Sequence, residues 1–265
     1  MHPPPTVAAL LSGARDRAAG RTATSVFWAG HGTRLAGGAV TYRNHYVLVR
    51  SGRAFGAASV QAGELDPVAC QELSGSPLRT LLTDVPYPVR IAALDALLAA
   101  ESPFRDDPAP ERITLPDGTP EERAVARDAA VAGLLDVAPG ARVALIGVVN
   151  PLVAAIRERG AECLPCDLDL RETQWGDVVS ADADEVIEKA DQVVATGMTL
   201  ANDTFDGIVA RCRARGVPLT VYAQTGAAVA RAFLGRGVAA LSAEPFPFSQ
   251  FSADPTVLYR YRAAP

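Results

Sequence analysis

The sequence predicts an α/β protein in which a smaller α+β domain precedes a Rossmann-like domain, a parallel sheet with helices on both faces. From residue 142 onward, short apolar strands alternate with helices, the pattern of right-handed parallel crossovers. Residues 21–60 carry short aromatic and β-branched runs punctuated by glycine, which indicates an antiparallel meander. Residues 102–118, between the two patterns, are rich in Pro and Asp and have no periodicity. We therefore expect two domains with their boundary in that stretch.

The N-terminal half reads as strands flanked by helices. Residues 7–19 have apolar positions at helical spacing. After the meander, Ile91, Leu94 and Leu97 mark the apolar face of a second helix. This order of elements predicts an α+β domain over residues 1–105.

A bridging helix is expected to connect the halves. Thr119 is a typical N-cap, Pro120 occupies the first helical position and Glu122 adds negative charge to the first turn. The apolar residues that continue the helical spacing are Val125, Ala129, Ala132 and Leu135. We assign residues 106–140 to a linker with this helix and residues 141–265 to the Rossmann-like ligand-binding domain.

The second half contains five predicted strands, at residues 143–147, 162–165, 192–196, 219–222 and 238–241. Ligands of such sheets bind beyond the carboxyl ends of the strands, where the strand order reverses. The loops after the strands are therefore where binding residues are expected.

Composition excludes several classes of function. The net charge of −5 gives no support for binding nucleic acid or an anionic membrane. No stretch is apolar for the roughly 18 residues of a membrane span, and the first residues lack a signal-peptide pattern, so we expect a cytoplasmic protein. Lys189 is the only lysine and lies at a predicted helix end, which argues against a P-loop and against pyridoxal phosphate. The oligomeric state stays open, with a homodimer as one option.

The loops after the first two strands hold candidate ligand contacts. Gly147 and Asn150 follow the first strand, and Asn150 is placed to cap a helix or to meet a polar ligand group. Asp167 and Asp169 follow the second strand, where Rossmann-type domains use a carboxylate to bind the ribose hydroxyls of a nucleotide. Asp167 is the preferred candidate, and Asp169 competes for the same role. The alternative interpretation is a simple helix cap and two solvated loop acids.

The loop after the third strand, residues 196–204, is the most informative segment. A glycine allows close approach of the backbone, and hydroxyl and amide groups crowd a helix N-terminus. Capping needs only one such side chain, so we predict ligand contacts, with elaborate capping as the alternative. The candidates here are Thr196, Gly197, Met198, Thr199, Asn202 and Thr204, and after the fourth strand Gln224 and Thr225. The aromatic, Pro-rich residues 244–251 either cover the same edge or pack across the domain boundary.

Residues that bind soft metals are few. Cys163 and Cys166 have C-x-x-C spacing, but residues three apart on a strand point to opposite faces and cannot chelate together. His31 and His45 lie in the other domain. We therefore assign no metal ligands, regard a bound metal as improbable, and expect buried thiols.

Residues 196–204 read Thr-Gly-Met-Thr-Leu-Ala-Asn-Asp-Thr, which resembles the T-G-x-T-L-x-N-x-T element of a family labelled "putative heavy-metal chelation". Residues 73–78 and 91–97 resemble its G-x-P-L and I-G-L-A-A-L-N-A-L segments. Two positions depart from the family pattern, because Asp95 replaces its usual Asn and residues 223–227 replace a G-P-S-type turn.

The resemblance implies an enolase N-terminal-like domain followed by a Rossmann-like domain, with the active site in the cleft between them. Such a cleft would bring Arg34, Tyr42, Asn44 and His45 of the meander toward the strand ends. Tyr42 and Asn202 are the candidates for a catalytic role.

These observations favour a small-molecule enzyme that binds a nucleoside-bearing ligand, best represented by S-adenosylmethionine as substrate or cofactor. Alkyl transfer and intramolecular cyclisation are both open, because positioning a sulfonium substrate supplies much of the catalysis. A binding protein for a metal or metal chelate is the alternative. A nicotinamide-dependent oxidoreductase ranks last, because the G-x-G-x-x-G turn that holds a pyrophosphate is missing.

Overall fold

A computed structural model describes residues 5–34 and 41–264, without the side chain of Tyr42. The first part of the chain forms a three-stranded antiparallel sheet with helices, as the sequence predicts. Its elements are α1 (Val7–Arg17), β1 (Ser25–Thr33), β2 (Tyr42–Ser51), β3 (Ala54–Val60), α2 (Pro67–Glu72) and α3 (Tyr87–Glu101). Helix α3 lies so close to β3 that a Cβ at Gly56 would stand 2.1 Å from the Ala92 carbonyl oxygen.

The rest of the chain forms a seven-stranded sheet flanked by helices. Its elements are β4 (Glu111–Leu115), α4 (Pro120–Ala132), β5 (Arg142–Ile146), α5 (Asn150–Glu158), β6 (Glu162–Cys166), α6 (Ala183–Lys189), β7 (Gln192–Thr196), α7 (Met198–Ala201), α8 (Phe205–Arg215), β8 (Leu219–Ala223), α9 (Ala227–Arg231), β9 (Ala240–Ala243) and β10 (Thr256–Arg262). The strand order is β4-β10-β9-β8-β7-β5-β6, and the five strands from β9 to β6 are parallel. The predicted α/β fold class is confirmed.

Alternate residues of β5 show that both faces of this sheet are covered. Ala144 and Ile146 belong to an apolar cluster that extends without a break into the N-terminal part of the chain. Val143 and Leu145 belong to a second cluster that contains residues of α4 and α5. A strand buried on both faces is typical of a parallel sheet with crossover helices.

Several local features differ from the sequence-based expectations. Residues 111–115, expected in a linker, form the edge strand β4 by pairing with β10. The fifth predicted strand is shifted to Ala240–Ala243. The N-cap position of α5 is Val149 rather than Asn150, which is the first helical residue.

The predicted apolar face of α4 is correct at its C-terminal end, where Ala132 and the following Leu135 are buried, and wrong nearer its start. The capping box of Thr119 and Glu122 forms as expected. However, Val125 is 54% exposed, and the residues that α4 buries are Arg123, Asp128, Val131 and Ala132. Two charged side chains therefore lie on the buried face of α4. This helix connects β4 and β5 of the large sheet and does not bridge the two sheets as expected.

The two parts of the chain pack closely through α3, β3, α7 and α9. Asp95 on α3 is 4% exposed, and its carboxylate accepts hydrogen bonds from the backbone nitrogens of Ala57, Ala228 and Val229 at 3.0, 2.7 and 3.3 Å. One side chain thus joins β3 to the start of α9. None of the helices in the described part of the chain is both long and apolar enough to span a membrane.

Candidate functional site

The strand order identifies the place where a ligand of this sheet is expected. Strand β5 is followed along the chain by β6 on one side and by β7 on the other, so the order reverses between β5 and β7. The crevice beyond this reversal is the usual ligand site of open α/β sheets. Residues 147–150, 167–170 and 196–199 surround it, and we call them the switch-point region.

The two glycines of the switch-point region allow close internal packing. Gly147 has φ +88°, and a Cβ there would stand 2.3 Å from Thr196 Cγ2. A Cβ on Gly197 would stand 2.2 Å from the carbonyl oxygen of Thr225. The protein itself therefore accounts for both glycines, and their predicted ligand contacts stay predictions.

Asp167 is bonded to the backbone around it. One carboxylate oxygen accepts a hydrogen bond from Val148 N at 2.9 Å, and the other accepts from Asp169 N at 2.9 Å and Leu170 N at 3.1 Å. Asp169 is exposed, and its carboxylate has no hydrogen bond to another residue in the described parts of the chain. Of the two predicted ribose-binding acids, Asp169 is thus the more available.

Polar side chains of residues 196–204 largely bond within their own loop. Thr199 Oγ1 donates to the Thr196 carbonyl oxygen at 2.6 Å, and Thr204 Oγ1 donates to Asn202 Oδ1 at 2.7 Å. Met198, in contrast, is 40% exposed. Because α7 packs on α3 and β3, this loop also forms part of the contact between the two sheets.

Asn150 fixes the loop after β6. It is 8% exposed, and its Oδ1 accepts a hydrogen bond from Gln174 N at 3.3 Å. Its amide thus joins the start of α5 to residues 167–180.

A second group of polar residues lies where β8 and β9 end. The sequence predicts a ligand contact only for Gln224, although Glu244 and Gln250 belong to the segment expected near this edge. Gln224 Nε2 donates to Glu244 Oε2 at 2.6 Å and to Gln250 Oε1 at 2.8 Å. Gln250 Nε2 in turn donates to the Tyr46 hydroxyl at 3.2 Å, and His31 lies beyond it, 3.5 Å away. This chain of contacts runs from the large sheet to the N-terminal sheet.

Arg127 and Asp128 of α4 lie beside this group. Arg127 Nε donates to Asp128 Oδ1 at 2.8 Å, and Glu244 is close enough to affect the pKa of both. Burial raises the pKa of Asp128, while Arg127 opposes the rise. Burial lowers the pKa of Arg127, but the charges of Asp128 and Glu244 outweigh that effect and raise it. We call Arg127, Asp128, Gln224 and Glu244 the charged region.

Asp128 Oδ2 has unused hydrogen-bonding capacity. The Asp128 side chain is fully buried, and Oδ2 has no hydrogen-bond partner among the described residues. The sequence held one signal for this residue, because Asp128 lies on the same helical stripe as Val131 and Leu135. A charged residue at a core spacing is itself informative.

Tyr222 connects the two regions. It is on β8, and its hydroxyl donates to the Gly147 carbonyl oxygen at 2.7 Å. Burial raises the pKa of Tyr222, as it raises that of Tyr46 to about 12, so both phenols are neutral at physiological pH.

The aromatic residues 244–251 pack across the boundary between the sheets. Phe248 is fully buried in a cluster with Tyr46, Leu48 and Ala57 of the N-terminal sheet. Its ring lies 5.4 Å from that of Tyr46. Phe251, 43% exposed, forms the outer edge of this contact.

The predicted metal-binding candidates are dispersed. Cys163 and Cys166 are buried in the two clusters on opposite faces of the sheet, as their spacing predicts. Burial raises the pKa of their thiols to about 12 and about 11, which disfavours the thiolate that a metal needs. His45 stacks on Trp28 at 5.1 Å. Within residues 5–34 and 41–264 no three His, Cys, Asp or Glu side chains form a group that could hold a metal ion.

Some predictions stay untested. The side chain of Tyr42 lies outside the described residues, so its catalytic role stays a prediction. The catalytic role of Asn202, which is exposed at the end of α7, also stays one.

One family model matches part of the chain. Residues 130–243 match DUF364, described as "putative heavy-metal chelation", and no curated protein matches the sequence. A DUF364 protein of unknown function from Desulfitobacterium hafniense DCB-2 is 15% identical with TM-score 0.58, over 90% of this chain and 87% of that one. One from Pyrococcus horikoshii has the same identity and TM-score, over 96% and 98%. The structural likeness shows the shared fold. Over residues 130–243 the chain thus matches the DUF364 family, which confirms the resemblance that residues 196–204 indicate.

Proposed function

We propose that the protein binds a nucleoside-bearing small molecule, with S-adenosylmethionine as the leading candidate, between the N-terminal sheet and the carboxyl edge of the large sheet. The ligand would then undergo alkyl transfer or intramolecular cyclisation. The observation that carries the proposal is the acidic turn after β6, held beside the strand-order reversal. Asp167 fixes this turn through three backbone hydrogen bonds, which leaves the exposed carboxylate of Asp169 to accept from ribose hydroxyls.

The rest of the switch-point region suits a nucleoside better than a dinucleotide. The loop after β5 has a single glycine, and that glycine packs on Thr196. A pyrophosphate needs a Gly-rich turn at this point. A sulfonium ligand needs neither that turn nor a strong base, since its leaving group is already activated.

Calorimetric titration of the full chain tests the proposal. S-adenosylmethionine, S-adenosylhomocysteine and 5′-methylthioadenosine are the probes, and we expect at least one to bind below about 1 mM, or −4.1 kcal/mol. Asp169→Asn should weaken binding by about tenfold, because one charged hydrogen bond contributes roughly 1.5–3 kcal/mol.

Asp191→Asn is the matched control. Asp191 is exposed like Asp169, but it lies at the amino end of β5, where its carboxylate accepts a hydrogen bond from Arg142 N at 2.8 Å. Absence of binding for all three adenosyl compounds would overturn the proposal. Equal losses in the two variants would remove the assignment of Asp169.

The family description supports metal or metal-chelate binding as the second candidate. Elemental analysis of protein purified without added metal tests it directly. Binding through the thiols predicts near-stoichiometric metal that is lost when Cys163 and Cys166 become Ser. A metal content near zero, and no uptake of added Zn²⁺, would reject this candidate.

A further inference from the structure

Arg127 differs from other arginines of comparable burial. The side chains of Arg231 and Arg260 are 12% and 16% exposed, and the terminal nitrogens of each donate to carbonyl or carboxylate oxygens. Arg127 is 17% exposed, yet across the described parts of the chain only its Nε donates, to Asp128. Its guanidinium is therefore fixed at one end, and its two terminal amino groups keep their donors available.

Asp128, next to Arg127, has an unused hydrogen-bond acceptor. While Oδ1 accepts from Arg127, the buried Oδ2 has no hydrogen-bond partner among the described residues. When ionised, Arg127, Asp128 and Glu244 carry one positive and two negative charges. Arg127 thus offers hydrogen-bond donors, Asp128 offers an unused acceptor, and the negative charges outnumber the positive one. Together these features suit a zwitterionic group.

The pair lies near residues of both sheets. The charge of Arg127 acts on Tyr46 of the N-terminal sheet and on Tyr222 of β8, lowering the pKa of each against the larger raising effect of burial. Strands β6 and β8 are three positions apart in the sheet, about 14 Å at the usual strand spacing. An extended adenosyl amino acid bound at Asp169 spans a comparable length.

We propose that Arg127 and Asp128 bind the zwitterionic amino-acid headgroup of the ligand. The carboxylate accepts paired hydrogen bonds from the terminal amino groups of Arg127, and the ammonium donates to Asp128 Oδ2. This inference rests on the proposed function for the adenosyl part of the ligand, but the headgroup can be tested separately.

The adenosyl comparison uses calorimetry on the full chain. S-adenosylhomocysteine has the headgroup and 5′-methylthioadenosine lacks it, so we expect the former to bind at least about tenfold more tightly. Arg127→Lys keeps the positive charge but loses the paired geometry. It should remove most of that difference and leave 5′-methylthioadenosine binding within about twofold.

The headgroup comparison uses three small probes: methionine, 4-(methylthio)butanoate without the ammonium, and 3-(methylthio)propylamine without the carboxylate. Asp128→Asn should weaken binding of methionine and the amine but not of the butanoate. Arg127→Lys should weaken binding of methionine and the butanoate but not of the amine. A purely structural role would affect all three probes alike. Arg260→Gln is the matched control. It removes an arginine of similar burial outside the proposed site, and it should leave the affinities for all three probes unchanged.

The outcomes separate the two proposals. If the two adenosyl compounds bind equally and Arg127→Lys weakens both alike, the headgroup assignment is overturned and the proposed function stands. If no adenosyl compound binds, the proposed function fails, and methionine decides the headgroup. If methionine binds and Arg127→Lys weakens its binding, the headgroup assignment is supported. If methionine does not bind, or binds independently of Arg127, the assignment is overturned.

Discussion

The switch-point region and the charged region lie along one edge of the same sheet and use their polar side chains differently. In the switch-point region, Asp167 accepts three backbone hydrogen bonds and Thr199 donates to its own loop. In the charged region, Arg127, which is 17% exposed, keeps unused donors, and the fully buried Asp128 keeps an unused acceptor. The comparison teaches that the folded structure, and not position in the sequence alone, decides which polar side chains keep hydrogen-bonding capacity for a ligand.

The largest expected effect on the free energy of unfolding comes from a substitution in the charged region. Arg127→Ala leaves the carboxylates of Asp128 and Glu244 buried without their counter-charge, so the free energy of unfolding should fall by about 3–5 kcal/mol. Urea denaturation at pH 7 measures the loss. Arg127→Ala combined with Asp128→Leu should recover part of it, since the second change removes one unpaired charge. A loss below about 1 kcal/mol would mean that water already compensates these charges.

Asp95 is also a buried carboxylate, but both of its oxygens accept hydrogen bonds, in contrast to Asp128. Burial raises its pKa to about 6, although the hydrogen bonds from Ala57, Ala228 and Val229 oppose the rise. The native state therefore holds this proton more tightly than the unfolded chain, where the pKa is 3.8. Its contribution to stability is complete below pH 3.8 and is lost as the pH rises through about 6.

The rise in the pKa of Asp95 from 3.8 to about 6 corresponds to about 3 kcal/mol in the free energy of unfolding. The free energy of unfolding, measured from pH 3.5 to 7 for the wild type and Asp95→Asn, checks it. The difference between the two proteins should change by that amount across the window, because other titrating groups cancel. A constant difference would contradict the prediction.

Asp167→Ala tests the structural side of the comparison. Loss of the three backbone contacts should lower the free energy of unfolding by about 2–3 kcal/mol, since each net hydrogen bond contributes about 1 kcal/mol. Asp169→Ala, two residues away and exposed, should change it by less than about 0.5 kcal/mol. Chemical denaturation of both variants makes the comparison. Equal stabilities would show that the Asp167 carboxylate is not needed to hold the turn.

The fold was predictable because it depends on patterns that repeat. Apolar strands alternating with helices predict the parallel sheet, and Thr119 with Glu122 predicts the start of α4. Strand β4 escaped prediction because an edge strand pairs through its backbone, with most of its side chains exposed. The pairing partner, β10, is 141 residues away, measured from Leu115 to Thr256.

The site was predictable only in part. Periodicity located the loops, so Gln224 was found, but hydrogen bonds formed after folding decide which side chains stay available. Asp128 was missed because Val125 and Ala129 offered an equally regular apolar stripe, and only tertiary packing selects between the two faces of α4. Because Asp128 is charged, the sequence favours a solvent-exposed position for it. Its ion pair with Arg127 is what allows it to be buried.

The smallest expected effect concerns the connection between the two regions. Tyr222→Phe removes the hydroxyl that donates to the Gly147 carbonyl oxygen, and the free energy of unfolding should fall by about 1 kcal/mol. Double-mutant cycles make this small loss informative. If the hydroxyl serves the switch-point region, Tyr222→Phe should couple to Asp167→Ala by about 0.5 kcal/mol or more, because both fix the loop after β5. Coupling to Arg127→Lys should be weaker, since the Tyr222 hydroxyl donates toward Gly147 rather than toward the charged pair. The reverse order of couplings would show that the two regions form a single network, and the distinction between them would have to be abandoned.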